Sequence, residues 1–149
     1  MAGTLFTSMQ ISSSGMSAQR SRLDVVAENI ANAESTRTAK GGPYRRRQVV
    51  FQAASVSHPS FASVFQSSLQ REGLQSVHVA NTIEDKRPFR EMYDPSHPDA
   101  DANGIVKMPN VNTVEEMVDM NSAARSFEAN VTVMEASKRM FLKSLELLR

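Results

Sequence analysis

Apolar side chains recur at a seven-residue interval at both ends of the chain. Near the N-terminus Met9, Met16, Leu23 and Ile30 form one row, interleaved with Leu5, Ser12, Gln19 and Val26. Near the C-terminus Met120, Phe127, Met134, Phe141 and Leu148 form another, interleaved with Met117, Ala124, Val131, Lys138 and Leu145. Alternating steps of three and four keep these positions on one helix face at a period near 3.5, the spacing of a coiled-coil seam. The pattern predicts a helix from about Thr4 to Asn32 and a second from an Asn112 N-cap to about Leu147. Glu115 and Glu116 in the first turn suit the positive end of the second helix dipole, and Lys138, Arg139 and Lys143 suit its far end.

Between the helices the period shortens. Glu34 to Pro43 is a loop by composition, closed by Gly41, Gly42 and Pro43. Tyr44 to Ala53 alternates like a strand, as do Val77 to Ile83 and Phe89 to Tyr93. Phe61, Val64, Phe65, Ser68 and Leu69 have helical spacing and predict a short helix. The proline-containing stretch Asp94 to Asn112 reads as an extended loop with one short strand at Ile105 to Met108. The expected class is therefore α+β: two long terminal helices in an antiparallel coiled-coil-like pair, with a small β-rich central domain containing a short helix. The expected division is an N-terminal helix over residues 1–33, a β-rich outer domain with an Asp-rich loop over 34–111, and a C-terminal helix over 112–149.

Size makes the helices more than a local matter. With 149 residues, the chain has about 60 to 80 left for the centre, too few and too polar to cover two helices of this length. Thr7 to Ser17 contains five serines, a threonine and Gly15, each a weaker helix former than alanine by roughly 0.5–1 kcal/mol. Such a segment should order when packed and fray when not. The net charge of +1 argues against a dedicated nucleic-acid or membrane-surface binder. The absence of cysteine removes disulfides and thiolate metal sites. Ser12, Ser13, Ser14 and Gly15 interrupt any hydrophobic core of a cleavable signal, and no basic residue precedes the apolar positions, so export would follow a route that does not read one.

Candidate chemistry is thin. Asp99, Asp101, Asn103 and Gly104 match the first half of an EF-hand loop, but Lys107 and Asn110 stand where its later ligands should be. An Asx-rich turn with Gly104 at positive φ accounts for the same residues. Arg45, Arg46 and Arg47 lie consecutively on a strand, so their side chains alternate in direction and suit a solvated face or an interface salt bridge better than a phosphate clamp. His58, His78 and His97 lack metal-ligand spacing, and no phosphate loop, nucleophile elbow or dinucleotide fingerprint occurs. No enzyme activity and no cofactor are expected.

The segment Leu23-Asp-Val-Val-Ala-Glu-Asn29-Ile30-Ala31-Asn32-Ala33 resembles the Asn-rich signature closing the N-terminal helix of bacterial flagellar rod and hook proteins. Pro43-Tyr-Arg-Arg-Arg-Gln-Val-Val-Phe51, His97 to Gly104, Val106 to Val118, Ala124 to Asn130 and Lys143-Ser-Leu are similar to further parts of that family. Ile105 and Phe127 stand where tyrosines would be expected, and Ser57 to Gln75 is longer and more helix-like than the variable stretch usual there. The resemblance implies a structural subunit of the flagellar basal-body rod, passed through the flagellar export apparatus without signal-peptide cleavage. It would assemble with its own copies and neighbouring rod proteins into a helical tube that spans the periplasm and transmits torque. It implies neither nucleic-acid binding nor membrane insertion.

On that reading Leu5, Met9, Met16, Leu23, Val26 and Ile30 pack on Met117, Met120, Ala124, Phe127, Val131, Met134, Phe141, Leu145 and Leu148, within and between subunits. Asn29, Asn32, Asn121 and Asn130 would satisfy polar groups or fix register at the seam. Two other readings use the same residues differently: a calcium-dependent binding module at Asp99, Asp101 and Asn103, and a coiled-coil adaptor of another secretion system.

Overall fold

The computed structural model describes residues 2–39, 41–55 and 75–146. Its elements are α1 (Ala2–Ala31), β1 (Arg47–Ser55), β2 (Gln75–Glu84), β3 (Arg90–Tyr93), β4 (Ile105–Met108) and α2 (Thr113–Glu146). Strands β1 and β2 form one two-stranded sheet, and β3 and β4 an antiparallel one in which Arg90 faces Met108 and Tyr93 faces Ile105. The class is α+β, as the alternation of periods suggested. The short helix expected at Phe61 to Leu69 falls outside the described residues, as do Leu148 and the side chain of Leu5. Among the described residues no helix is long and apolar enough to cross a membrane.

Local chemistry sets the ends of the helices. At the start of α2 the Val114 N–H donates to Asn112 Oδ1 at 3.1 Å, and Asn112 Nδ2 donates to Glu115 Oε1 at 3.2 Å. Asn112 is thus the N-cap its position promised. At the end of α1 Asn32 Nδ2 donates to the Glu28 carbonyl at 2.9 Å, and the Ala33 N–H tightens onto Ile30 O at 3.2 Å. The Glu28 carbonyl also takes the Asn32 N–H at 3.1 Å, so the side chain adds a second bond there, and the Ala33 N–H satisfies the Ile30 carbonyl near the helix terminus.

The chain divides into two compact units: Met1–Arg20 with Phe51–Ala80 and Arg125–Arg149, and Ser21–Val50 with Asn81–Ala124. In the first, α1 and α2 residues meet through small side chains. Ser8 and Ser137 hydroxyls lie 3.4 Å apart, and a Cβ placed on Gly15 would stand 3.1 Å from the Asn130 amide. Ser12, Ala18 and Ser137 are buried here. The Ser14 hydroxyl donates to Ile11 O and accepts the Val77 N–H at 3.2 Å, which ties the start of β2 to α1.

In the second unit Val106, Met108, Val111, Ala33, Tyr44 and Ala123 are buried. Strand β1 begins three residues later than its alternation predicted. The Tyr44 N–H bonds Ser35 O at 3.0 Å, and the Arg46 N–H bonds Asn110 Oδ1 at 2.8 Å. These groups are spent on loops rather than on a ladder. The Asp-rich loop is the connection of the β3–β4 hairpin, closed by Asp94 N–H to Gly104 O and Gly104 N–H to Asp101 O. Gly104 has φ of 75°, and a Cβ there would approach the Tyr93 ring to 3.0 Å, so both conformation and space demand glycine.

One expectation about α2 shifts. The seven-residue row running through Met120, Phe127, Met134 and Phe141 is half-buried. The positions interleaved with it that are buried are Glu116, Ala123 and Ser137, each one residue ahead of Met117, Ala124 and Lys138. Met117 stays 59% exposed. Close approach to α1 takes small side chains, and Glu116 is drawn inward by the polar partners described next.

Candidate assembly site

Three residues that alternation alone would scatter converge in the second unit. Asn29, near the end of α1, is fully buried and uses all four of its amide bonding capacities. Its Nδ2 donates to Glu116 Oε2 at 2.9 Å and to Arg47 O at 2.8 Å, while its Oδ1 accepts the Tyr44 hydroxyl at 3.0 Å and the Arg47 N–H at 2.9 Å. Glu116, on the first turn of α2, is fully buried and receives Arg46 Nε on its other oxygen. The Arg46 guanidinium also lies 3.6 Å from Asp85 and 3.7 Å from Asp119, and Arg22 pairs with Asp119 at 3.0 Å. Asn110 extends the cluster by donating from Nδ2 to the Asp85 and Arg87 carbonyls.

The electrostatics follow from burial and pairing. A buried guanidinium or carboxylate is tolerated only with partners on its charge and on its remaining hydrogen-bonding positions, and both conditions are met here. Burial pushes the Tyr44 phenol up to about 12, helped by the nearby Glu28 carboxylate. The Arg87 N–H, and then its guanidinium, hold the Asp85 carboxyl below the usual range. The other two members of the arginine triplet are also engaged. Arg45 stacks 4.3 Å over the Phe89 ring, and Arg47 pairs with Glu28 at 2.7 Å. The triplet is therefore internal scaffolding. Sequence reasoning missed Arg46, Tyr44 and Asp85 and assigned Glu116 only to the helix dipole. The available signal was its place on the 116, 123, 130, 137 row, where a charge needs a buried partner.

The Asp-rich loop serves the turn. Asp99 Oδ2 accepts the Thr36 hydroxyl at 2.8 Å, and the Asp99 N–H bonds His97 Nδ1. The Ser96 hydroxyl and N–H hold the Asp94 carboxyl below its ordinary range. Among the described residues no group of three or more His, Cys, Asp or Glu could hold a metal ion.

The other residues of the two stripes are less covered. Val26 is buried, whereas Met9, Met16, Leu23, Ile30 and Asn32 on α1 are half-buried. On α2 Met120, Ala124, Phe127, Asn130, Val131, Met134 and Phe141 are half-buried, and Met117 and Leu145 are exposed. Phe6 (71%), Val114 (67%) and Val118 (64%) are more open still.

Both ends match known family profiles: residues 9–40 fit "Flagella basal body rod protein", and residues 102–147 fit "Flagellar basal body rod FlgEFG protein C-terminal". The chain is also similar over nearly its whole length to curated proteins named "Flagellar basal-body rod protein FlgC". It is 47% identical to that of Borreliella burgdorferi, over 97% of this chain and 98% of the relative. The chain belongs to the FlgC family. Identity is 43% to the Bacillus subtilis FlgC, with the same shares, and 42% to that of Salmonella typhimurium, over 96% of this chain and 97% of the relative. FlgC is the proximal-rod member of the C type within the rod and hook group that the Asn-rich and Asp-rich segments resemble. The profiles take in Asn29 at one end and Glu116 at the other, so the two partners of the central hydrogen bond lie within the family-defining segments.

Replacing Arg46 by Met or Glu116 by Leu should destabilise the protein by about 3–5 kcal/mol: the first leaves the buried Glu116 carboxylate without a cation, and the second takes an acceptor from the buried Asn29 amide and the nearest carboxylate from Arg46. The double replacement Arg46→Met with Glu116→Leu should cost much less than the sum, as measured by urea unfolding and a double-mutant cycle. Additive losses would mean that the two side chains do not depend on one another.

Tyr44 gives a pH window. Its folded-state value of about 12 lies above the ordinary 10.0, so its contribution is intact below pH 10 and is lost as pH rises through 12. With two tyrosines in the chain, a Tyr93→Phe variant leaves Tyr44 as the sole reporter. Its phenolate absorbance should rise near pH 12, and a midpoint near 10 in the folded protein would contradict the burial.

Proposed function

We propose that this chain is a structural, non-enzymatic subunit of the flagellar basal-body rod that assembles with copies of itself and neighbouring rod proteins. The observation that carries the reading is identity above 40% to proteins named as basal-body rod proteins, over nearly the full length of both chains. On this reading the terminal helices, residues 1–33 and 112–149, are the assembly core, and residues 34–111 form the β-rich outer domain. The subunit passes through the flagellar export apparatus and takes its place in the part of the basal body that crosses the periplasm, where it carries torque.

The pairing of the helices is the physical core of this proposal. In one unit Ser8 lies against Ser137 and Gly15 against Asn130; in the other Arg22 meets Asp119 and Asn29 meets Glu116. Rising numbers on α1 meet falling numbers on α2, and on α1 these residues stand seven apart. That supports an antiparallel, coiled-coil-like seam made from small and polar side chains. The larger residues, Met16, Leu23, Met117, Met120, Phe127, Met134, Phe141 and Leu145, then keep surface available for adjoining subunits. Many copies of a modest contact would give a stiff tube although each contact alone is weak.

Deleting residues 2–18 removes one side of this seam and should abolish rod assembly. In a strain lacking the native subunit, the truncated chain should fail to restore basal bodies on electron micrographs, while the full chain restores them. Restoration by the truncated chain at equal export and abundance would refute the assembly role of this segment.

A further inference from the structure

The β3–β4 hairpin turns through Asp101, Ala102, Asn103 and Gly104. Of the eight asparagines in the chain, Asn103 is the one followed by glycine; the other seven precede residues that carry a Cβ. The difference is chemical. An asparagine side chain can be attacked at Cγ by the backbone nitrogen of the next residue, and a Cβ on that residue obstructs the approach, so glycine leaves the reaction open. The Gly104 nitrogen, having given its proton to hydroxide, forms a bond to Asn103 Cγ; the side-chain amide leaves as ammonia and a five-membered cyclic imide results. Water then opens the ring at one of its two carbonyls. One opening gives aspartate, and the other gives isoaspartate, in which the main chain runs through Cβ.

The hairpin governs access to this reaction. Asn103 is exposed, so water and hydroxide reach its amide, but Gly104 is buried. The Gly104 N–H donates to Asp101 O at 2.8 Å, and its carbonyl accepts the Asp94 N–H at 2.9 Å. Its α-carbon is packed so closely that a Cβ would stand 3.0 Å from the Tyr93 ring and 3.1 Å from Pro95. In the cyclic imide the Gly104 nitrogen carries no hydrogen, so ring closure forfeits the bond to Asp101. A nitrogen held in this way reacts through the opened turn. Turn preference alone accounts for asparagine before glycine here. It does not remove the reactivity of the pair once the turn is open.

We propose that Asn103 is a self-modification site, reactive toward its own backbone in the unfolded chain and shut by formation of the hairpin, and that its isoaspartate product no longer closes that turn. Isoaspartate lengthens the main chain by one atom inside the turn. The Asp101–Gly104 bond and the register that sets Tyr93 opposite Ile105 both depend on the length of that connection. Val106 and Met108, buried on β4, follow directly after it. A chain modified before folding therefore fails to complete its second unit. This inference is independent of the rod-subunit reading.

The test incubates the full-length chain in mildly alkaline buffer, native in one arm and in guanidinium chloride in the other. Peptide masses locate the exchange of –NH2 for –OH, and an isoaspartate-specific methyltransferase with a labelled methyl donor counts isoaspartate. Conversion should fall at Asn103 in denaturant and run at least about tenfold slower in the native arm, with the other asparagines unchanged in both. After refolding, chains carrying isoaspartate should lack hydrogen-exchange protection at the Gly104 and Val106 amides. Asn103→Asp, which adds the charge without the extra atom, should refold with wild-type protection, and Asn103→Ser should abolish the methyl labelling. Equal rates in the two arms, or conversion spread evenly over the asparagines, overturn the proposal. Isoaspartyl chains that refold with full protection overturn its second half.

Discussion

Asn29 is the residue on which the rest of its unit depends. A fully buried amide with four partners contributes on the order of 0.5–1.5 kcal/mol per net hydrogen bond, but leaving any partner unmet costs more. Its four bonds reach Tyr44, the backbone of Arg47 on both sides, and Glu116. They come from two parts of the chain, the segment Tyr44 to Arg47 and the first turn of α2, so the amide specifies where the strand enters, where the second helix starts and which turn of that helix faces inward. Arg46 completes the arrangement by neutralising Glu116. An apolar substitute of equal volume would bury as much surface but would accept several registers; the amide and the ion pair accept one.

The close approach of small side chains has a consequence for function. Where two helices meet through Ser8, Gly15, Asn130 and Ser137, large side chains are excluded from the contact. The methionines, phenylalanines and leucines of the repeats are then displaced toward the flanks, where burial stays incomplete in the single chain. A monomeric protein would carry these residues as a solubility liability. In the proposed rod subunit they are the surface left for adjoining copies.

The helices were legible because period, caps and length agreed. Asn112 acts as the N-cap it promised to be, and α2 is helical through Glu146, the last of the described residues. The β3–β4 hairpin and its Gly104 turn were equally readable, since proline, aspartate and glycine fix turns locally. The Asn-rich end of α1 drew notice as a possible register device, but its partners did not. Arg46 sits in a basic triplet that looks solvated, and Glu116 follows another glutamate in an ordinary first turn. Their pairing spans 70 residues, and nothing local distinguishes a buried arginine from an exposed one. The same limit explains the one-residue shift in the covered face of α2. Hydrophobicity ranks Met117 above Glu116, and only the tertiary partners reverse that order.

The central claim is that the hub holds its unit together, and native-state hydrogen exchange addresses it most directly. The N–H groups of Arg46 and Arg47 are given not to a strand partner but to Asn110 and Asn29. If the hub is the last part to open, these two amides exchange only through global unfolding and fall among the slowest in the protein, slower than those of the exposed strand β2. Exchange at rates like those of β2 would mean that the hub opens locally and that the fold does not hang on it.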